Sequence, residues 1–233
     1  MYIDKTQDVF AIARQKMLKH DLMGRDITDR AVLSVMSEIR REVFVPAAYQ
    51  AKAYADCPLP IGMDQTISQP YIVALMTQEL RLNQNCRVLE VGTGSGYQTA
   101  ILSRLAEKVC TIERFAELSE AAQASLGKLG IDNVEFHIGD GSCGWPFFAD
   151  ATKDKPEKQT FDRIIITAAV PQVPAPLIEQ LSQGGLLVAP VGFDAAQQLV
   201  TCRKTKSKII EMPVCGVRFV RLFGKYAFKE GSD

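Results

Sequence analysis

The segment from Glu90 to Gly96, EVGTGSG, contains the residues of this sequence best suited to binding a ligand. It directly follows an apolar run, RVLEV at 87–91, that is typical of a buried strand, and it precedes a helix predicted over 97–107. Glycines at such a turn permit positive φ angles and let a ligand approach the main chain. The segment therefore predicts a cofactor-binding loop. Its candidate contacts are Glu90, Gly92, Thr93, Gly94, Ser95 and Gly96.

The spacing of these glycines distinguishes two kinds of cofactor loop. A dinucleotide fingerprint reads G-x-G-x-x-G, and its third glycine allows the helix to pack closely on the strand. Here Tyr97 occupies the third position, and the pattern is G-x-G-x-G with Glu90 two residues ahead of it. This pattern resembles motif I of class I methyltransferases. The phosphate-binding pattern G-x-x-x-x-G-K-[ST] does not occur in the sequence, which argues against a P-loop.

Two further acidic residues follow predicted strands. Glu113 lies at the end of the run 108–114, and Asp140 lies in the GDG sequence that ends the run 133–139. In open α/β sheets, ligands bind at the carboxyl ends of the strands. A carboxylate at Glu113 can accept hydrogen bonds from both hydroxyls of a ribose, and one at Asp140, beside Gly141, can accept from an adenine amine. Together with Glu90, these acids predict a nucleoside cofactor.

The elements that must position these residues alternate between short apolar runs and helical patterns. Strands separated by helices pair in parallel through right-handed crossovers. The strands are predicted at 87–91, 108–114, 133–139, 161–169 and 185–191, and the helices at 97–107, 115–129 and 175–183. The tail differs, because the runs QLVTCRK, KIIEMPV and VRFVRLFG follow one another without helices, which predicts antiparallel strands.

The first 80 residues have helical periodicity. One helix is predicted over 4–20, with Val9, Phe10, Ala13 and Met17 on its apolar face. Thr28 or Asp29 is predicted to cap the next helix, whose apolar face is Val32, Val35, Met36 and Ile39, and a short helix is predicted over 47–53. We therefore expect an α/β fold with a doubly wound, mostly parallel sheet. Residues 1–233 form one domain, with a helical N-terminal cap at 1–80 and a Rossmann-like core at 81–233.

Composition and charge narrow the range of partners. The chain has 27 basic and 27 acidic residues, and its zero net charge is atypical of a nucleic-acid-binding protein. Six scattered cysteines and two histidines offer poor material for a metal site, so free thiols and no metal are expected. The sequence has neither a signal peptide at its start nor an apolar run long enough to span a membrane. We expect a cytoplasmic monomer without a membrane or nucleic-acid partner.

Several segments resemble the protein-L-isoaspartate O-methyltransferase family. They are LPIGMDQTISQPYIVALMTQEL (59–80), RVLEVGTGSGYQTAIL (87–102), HIGDG (137–141), IIITAAVPQVP (164–174), GLLVAPVG (185–192) and GVRFV (216–220). The sequence TISQP is far more specific to this family than motif I. The resemblance implies transfer of a methyl group from S-adenosylmethionine to the α-carboxylate of isoaspartyl residues in damaged proteins. The ester then returns to a succinimide, part of which hydrolyses to normal aspartate.

The resemblance also implies roles for residues outside the glycine loop. It marks Ser68 as catalytic, and its hydroxyl can hydrogen-bond the substrate carboxylate. From the residues alone, Ser68 is also a good N-cap for a helix that begins at Pro70, and the two roles are compatible. The resemblance implies cofactor contact by Thr167 and substrate contact by Gln65, Thr66, Ala168, Val217, Arg218 and Phe219, with Ala169 as a further lining residue.

Three departures from the family pattern leave alternatives open. The family usually has glycine where Asp64 stands and proline where Arg221 stands, and the polar loop at 150–160 is longer than usual. The alternatives are a methyltransferase for another carboxylate or acceptor, and a non-catalytic protein that retains the fold as a binding module.

Overall fold

A computed structural model describes residues 5–146, 159–193 and 196–231. Residues 150–158 of the predicted surface loop lie outside this part of the chain. Seven strands form the main sheet, in the order β5-β4-β3-β6-β7-β8-β9. They are β3 (Arg87–Val91), β4 (Lys108–Glu113), β5 (Val134–Ile138), β6 (Phe161–Ile166), β7 (Leu181–Phe193), β8 (Ala196–Lys204) and β9 (Ile209–Val217).

The pairing of these strands confirms the predicted fold class. Strands β5, β4, β3, β6 and β7 pair in parallel, whereas β8 and β9 extend the sheet in antiparallel pairing. The strand order reverses between β3 and β6, and this switch point is where ligands bind in open α/β sheets. The helices of the core are α4 (Tyr97–Leu105), α5 (Ala116–Lys128) and α6 (Ala175–Gln180).

Two predicted elements of the C-terminal half are wrong in extent. The helix predicted over 175–183 ends at Gln180, because Leu181 already pairs with Phe161 at the start of β7. The run 217–224 does not form a third antiparallel strand. Instead, Val220 accepts a hydrogen bond from Ala169 N–H (2.8 Å), and Leu222 N–H donates to the Ala169 carbonyl (2.7 Å). These two bonds bring the C-terminal segment over the carboxyl end of β6.

The N-terminal region contains helices and one short hairpin. The helices are α1 (Lys5–Lys16), which continues into a π-helix (Met17–Leu22), α2 (Arg30–Glu38) and α3 (Pro70–Leu80), with 3₁₀ turns at Arg41–Phe44 and Ala47–Lys52. Asp29 caps α2, since its carboxylate accepts hydrogen bonds from two main-chain N–H groups, and the predicted apolar face of that helix is buried. Val9 is 63% exposed, so it does not belong to the buried face predicted for α1.

The sequence did not predict the hairpin of β1 (Leu59–Gly62) and β2 (Gln65–Ile67). Its turn residues, Met63 and Asp64, both have positive φ angles (52° and 55°). Strands of this length contain too few residues to show the alternation that identifies a strand in a sequence. The hairpin leads directly to Ser68.

A continuous apolar core joins the N-terminal helices to one face of the sheet. A second cluster, which includes Trp145, Phe161 and Leu177, lies on the other face. The sheet ends at β9, where Ile209, Ile210 and Met212 are exposed and Pro213 lies within the strand. None of the helices in the described part of the chain has the length and apolar character needed to cross a bilayer.

Candidate active site

The glycine loop follows β3 at the point where the strand order reverses. Gly92 has a φ of +97°, and a Cβ atom added there would lie 2.3 Å from Thr167 Oγ1. The Thr167 hydroxyl donates to the carbonyl of Gly92 (2.6 Å), so the loop is in contact with the end of β6. Only glycine combines this φ angle with this close approach. Gly92 and Thr167 therefore fix the shape of the loop.

Beside this loop lies a cavity of 340 Å³, which we name the donor cavity. Its walls come from the carboxyl ends of β3, β4, β5 and β6, from the β1–β2 hairpin and from the C-terminal segment. Among the predicted residues, it is lined by Gln65, Thr66, Gly92, Gly94, Glu113, Gly141, Thr167 and Ala168. Ala168 thus lines the donor cavity, whereas the family resemblance implied contact with the substrate.

Glu113 forms the polar wall of the donor cavity. Its carboxylate accepts hydrogen bonds from the N–H groups of Gly94 (2.9 Å), Arg114 (2.8 Å) and Phe115 (3.1 Å). These bonds connect the glycine loop to the end of β4. Each carboxylate oxygen can accept more than one hydrogen bond, so Glu113 can still receive ribose hydroxyls. Ile112 and Phe115, which the sequence analysis missed, add apolar wall beside it. This combination fits a nucleoside cofactor.

Asp140 lines a cavity next to the donor cavity, with which it shares Arg114, Gly139 and Phe223, and its contact with adenine stays a prediction. Its carboxylate accepts from the N–H and hydroxyl of Ser142 (2.9 and 2.6 Å) and from Lys225 N–H (2.7 Å). Burial would raise the pKa of Asp140, but the hydrogen bonds from Lys225 and Ser142 outweigh it, and the pKa lies below its ordinary value. Asp140 thus attaches the C-terminal segment to the sheet, while the neighbouring Gly139 and Gly141 line the donor cavity.

Glu90 also lies outside the donor cavity. It is one residue short of the end of β3 and fully buried, and its carboxylate accepts from the hydroxyls of Thr99 (2.5 Å) and Thr111 (2.8 Å). Burial raises the pKa of Glu90 to about 8, although both hydroxyls oppose the shift. Thr111 in turn contacts the hydroxyl of Thr93 at 2.7 Å. Glu90 is therefore linked through Thr111 to Thr93 of the glycine loop.

Gly96 is a third predicted cofactor residue that the structure places elsewhere. A Cβ atom at this position would lie 2.8 Å from Leu126 and 3.0 Å from Ala122, both on α5. Gly96 therefore allows close packing of α4 on α5. Thr93 and Ser95 line a slot of 50 Å³ beside the donor cavity, which we name the connecting slot.

Ser68 lies between the connecting slot and a groove of 770 Å³, which we name the acceptor groove. Thr66 and Thr167 line the donor cavity, the slot and the groove alike, so the three spaces adjoin one another. The Ser68 hydroxyl has no hydrogen-bond partner within the described ranges of the chain. Ser68 is thus the predicted residue that separates a donor space from an acceptor space.

The prediction that Ser68 caps α3 is wrong. The N-cap position is Gln69, whose side chain makes no capping bond, and Pro70 is the first helical residue. Asp56 caps the helix from a distant part of the sequence, because its carboxylate accepts from Tyr71 N–H (3.1 Å) and from the Gln69 side chain (2.6 Å). Since Asp56 serves the helix, the Ser68 hydroxyl is available to a ligand.

The acceptor groove contains all three predicted residues of the C-terminal match: Val217, Arg218 and Phe219. The main chain of Phe219 is already engaged, because its N–H donates to the Gln197 side chain (2.6 Å) and its carbonyl accepts from that side chain (3.1 Å). The N–H of Phe219 is therefore not available for main-chain pairing with a peptide. Gln197 was missed because its role depends on a contact between distant parts of the sequence.

Two of the three departures from the family pattern, Asp64 and Arg221, lie on the donor side. Asp64 is exposed in the hairpin turn and Arg221 lies in the cavity wall, where both line the donor cavity and neither lines the acceptor groove. The φ of +55° at Asp64 explains the glycine usual there. Within the described residues, no group of His, Cys, Asp and Glu side chains is arranged to hold a metal ion.

Comparison with known proteins identifies the family. Residues 13–227 match the model of the family described as "Protein-L-isoaspartate(D-aspartate) O-methyltransferase". A protein-L-isoaspartate O-methyltransferase from Methanoregula boonei is 49% identical over 216 residues, which cover 93% of this chain and 95% of that protein. The chain belongs to the protein-L-isoaspartate O-methyltransferase family. Another relative of that name, from Geobacter metallireducens, is 47% identical over 220 residues, 94% of this chain and 97% of the relative.

Solved structures agree with this membership. One protein-L-isoaspartate O-methyltransferase superposes with a TM-score of 0.79 at 28% identity, over 92% of this chain and 67% of the other. A Plasmodium falciparum protein described by the same activity, in complex with S-adenosyl-L-homocysteine, superposes with a TM-score of 0.75 at 24% identity, over 92% and 98%. The family prediction and the class I methyltransferase fold are confirmed. Membership makes this chain an O-methyltransferase of isoaspartyl residues that uses S-adenosylmethionine.

Proposed function

We propose that this protein methylates the α-carboxylate of L-isoaspartyl residues in damaged proteins and peptides, with donor and acceptor meeting at Ser68. The ester returns to a succinimide, and part of this hydrolyses to aspartate, which completes a repair cycle. One observation carries the assignment of the site: Ser68, whose hydroxyl has no partner within the described residues, lines both the connecting slot and the acceptor groove.

On the donor side, the chain supplies binding and orientation. When bound, S-adenosylmethionine supplies a methyl group that the sulfonium charge has already activated. Glu113 would accept hydrogen bonds from the ribose, Ile112 and Phe115 would hold the base, and the main chain of Gly92 and Gly94 would hold the amino-acid part, since all five residues line the donor cavity. Thr167 fixes the loop at the shape that this contact requires.

On the acceptor side, no general base is needed. A carboxylate with a pKa near ~4 is ionised at neutral pH, so the nucleophile is present without proton transfer. The Ser68 hydroxyl donates a hydrogen bond to one carboxylate oxygen and thereby orients the group toward the connecting slot. Val217 and Arg218 pair with the main chain of the extended peptide, and the exposed Arg218 side chain attracts its negative charge. Alignment of the two reactants then accounts for the catalysis.

The decisive experiment compares two peptides of one sequence, the first with isoaspartyl and the second with aspartyl at a single position. We expect transfer of labelled methyl from S-adenosylmethionine to the isoaspartyl peptide alone. Equal labelling of the two would indicate a methyltransferase for another acceptor. Binding of the donor, measured by calorimetry, without labelling of either peptide would indicate a non-catalytic binding module.

We also propose that the protein acts as a cytoplasmic monomer without a nucleic-acid or membrane partner. The proposed donor and acceptor sites use only residues of this chain, so the proposed mechanism calls for no second copy. Zero net charge also argues against a nucleic-acid partner. Sedimentation equilibrium at several concentrations tests the monomer, since a mass that rises with concentration would contradict it. Cell fractionation, with assays of binding to RNA and to lipid vesicles, tests the rest.

A further inference from the structure

Arg41 is a fully buried arginine that none of the site predictions includes. It is 0% exposed, it begins the 3₁₀ turn Arg41–Phe44, and it takes part in none of the ion pairs among the described residues. Its Nη1 atom is buried and has no hydrogen-bond acceptor there. Burial lowers the pKa of Arg41. A buried cation without a carboxylate partner destabilises a fold, so stability alone does not explain this residue.

The contacts of Arg41 join Ser68 to the first residue of α4. Nη2 donates to the main-chain carbonyl of Ser68 (2.8 Å), and Nε donates to the carbonyl of Ala53 (2.7 Å). The guanidinium carbon lies 4.8 Å from the centroid of the Tyr97 ring. Tyr97 is the first residue of α4, directly after the glycine loop, and it lines the connecting slot together with Ser68. One planar side chain therefore contacts the acceptor residue and the element that follows the donor loop.

This arrangement matters because methyl transfer depends on alignment. A displacement of about 1 Å between reacting groups can lower a rate about a hundredfold. Ser68 follows a short hairpin and precedes α3, and Asp56 contacts the next residues, Gln69 and Tyr71. Arg41, in contrast, donates to Ser68 itself. The same guanidinium lies against the ring of Tyr97, the residue that follows the glycine loop.

We propose that Arg41 is a positioning residue, which fixes Ser68 at a set distance from the donor by linking the Ser68 carbonyl to the Tyr97 ring. This inference rests on the proposed function of the site. The guanidinium acts through geometry and touches neither substrate. Its planar form suits the task, since it donates in two directions and contacts an aromatic face at the same time.

The test uses Arg41→Met, which keeps apolar volume, and Arg41→Lys, which keeps the charge but not the fork of donors. We expect kcat for the isoaspartyl peptide to fall at least about tenfold in both, with the Kd of S-adenosylmethionine changed less than about threefold. Arg163→Met is the matched control. Arg163 also donates to main-chain carbonyls, of Leu80 (2.5 Å) and Arg81 (3.2 Å), but it lines neither the donor cavity, the slot nor the groove. Its loss should lower the melting temperature and leave kcat unchanged.

A double-mutant cycle tests whether Arg41 acts through Ser68. In the Ser68→Ala background, we expect Arg41→Met to reduce kcat by less than about threefold, because the hydroxyl that it positions is gone. An unchanged kcat in folded Arg41 variants overturns the proposal, as does a full additional loss in the Ser68→Ala background. If Arg41→Met and Arg41→Lys are both unfolded by circular dichroism, Arg41 is a stability residue and the proposal fails.

Hydrogen exchange separates this proposal from the assignment of function. We expect the amides of residues 65–71 to exchange about tenfold faster in Arg41→Met than in the unaltered protein, whatever the substrate. If the unaltered protein fails to methylate the isoaspartyl peptide, the proposed function fails while this readout still reports on the link to Ser68. Unchanged exchange in that segment overturns the positioning role alone.

Discussion

At the scale of single residues, the distinguishing feature of Ser68 is its side-chain hydroxyl. Its hydroxyl has no partner within the described residues, and the capping role that would have occupied it belongs to Asp56. A hydrogen bond to a charged group contributes about 1.5–3 kcal/mol. If Ser68 orients the substrate carboxylate, this hydrogen bond lowers the activation free energy of methyl transfer by a similar amount.

We predict that Ser68→Ala lowers kcat for the isoaspartyl peptide about tenfold to hundredfold, the rate equivalent of one charged hydrogen bond. The Kd of S-adenosylmethionine, measured by calorimetry, should stay the same, because the hydroxyl does not line the donor cavity. Ser68→Thr keeps a hydroxyl and should recover part of the rate. Full activity in the alanine variant would remove Ser68 from the mechanism.

Glu90 gives a second prediction at this scale, and it concerns pH. Burial raises the pKa of this carboxyl in the folded chain to about 8 from an ordinary value of 4.5, so the folded state binds a proton that the unfolded state has lost. The stabilisation from this proton is complete below the ordinary pKa of 4.5, and it is lost as the pH rises through the raised pKa of about 8. The free energy of unfolding should therefore decrease as the pH rises from 4.5 to about 8.

Glu90→Gln should remove this dependence, because an amide cannot ionise. We expect equal stability of the two proteins near pH ~5 and an advantage on the order of a few kcal/mol for the glutamine variant near pH ~9. Urea unfolding at a series of pH values measures the difference. Parallel curves for the two proteins across this range would show that Glu90 is ionised in the folded state.

At the scale of elements, the turn that connects β1 and β2 has an unfavourable backbone conformation. Both turn residues, Met63 and Asp64, have positive φ angles; Met63 has no group that favours this conformation, and Asp64 tolerates it less well than glycine. The turn also carries the Asp64 carboxylate on the rim of the donor cavity, away from the acceptor groove. The departure from glycine should therefore affect the turn more than substrate recognition.

We predict that Asp64→Gly stabilises the protein by about 0.5–1 kcal/mol and changes the KM of the isoaspartyl peptide less than about twofold. Asp64→Ala is the matched variant, because it removes the same charge but keeps a Cβ atom, and it should give no gain. Thermal unfolding and peptide kinetics on both variants separate charge from conformation. A large drop in KM in both would show that the carboxylate repels the acceptor.

The same scale shows what the sequence could and could not predict. Apolar runs identified the parallel strands, most clearly β3 and β4, because strands buried on both faces leave that pattern. The glycine loop and Glu113 were also predicted to lie together. Contacts between distant segments were not predictable, such as Asp56 in place of Ser68 at the start of α3, or Gln197 on Phe219. A position near a strand end does not show which way a side chain faces, so the bonds of Glu90 to Thr99 and of Asp140 to Lys225 were not predictable either.

At the scale of the whole molecule, we predict that the chain unfolds as one unit. An apolar cluster runs without interruption from Met17 and Met36 to Val188 and Leu199 in the sheet. Circular dichroism follows all helices, whereas fluorescence of the single tryptophan, Trp145, reports on the cluster at the opposite face. Coincident transitions by these two probes are expected for one domain. Separate midpoints would indicate that the N-terminal cap and the core unfold independently.

The position of Pro213 affects how this protein behaves among damaged clients. An unpaired edge strand recruits other strands, and β9 carries exposed Ile209, Ile210 and Met212 along such an edge. Proline has no N–H to donate, so it divides the nine residues of β9 into two stretches of four. Partly unfolded clients expose strands of their own. We therefore expect the enzyme to release such clients, because a short, interrupted edge offers few main-chain groups for pairing with a further strand.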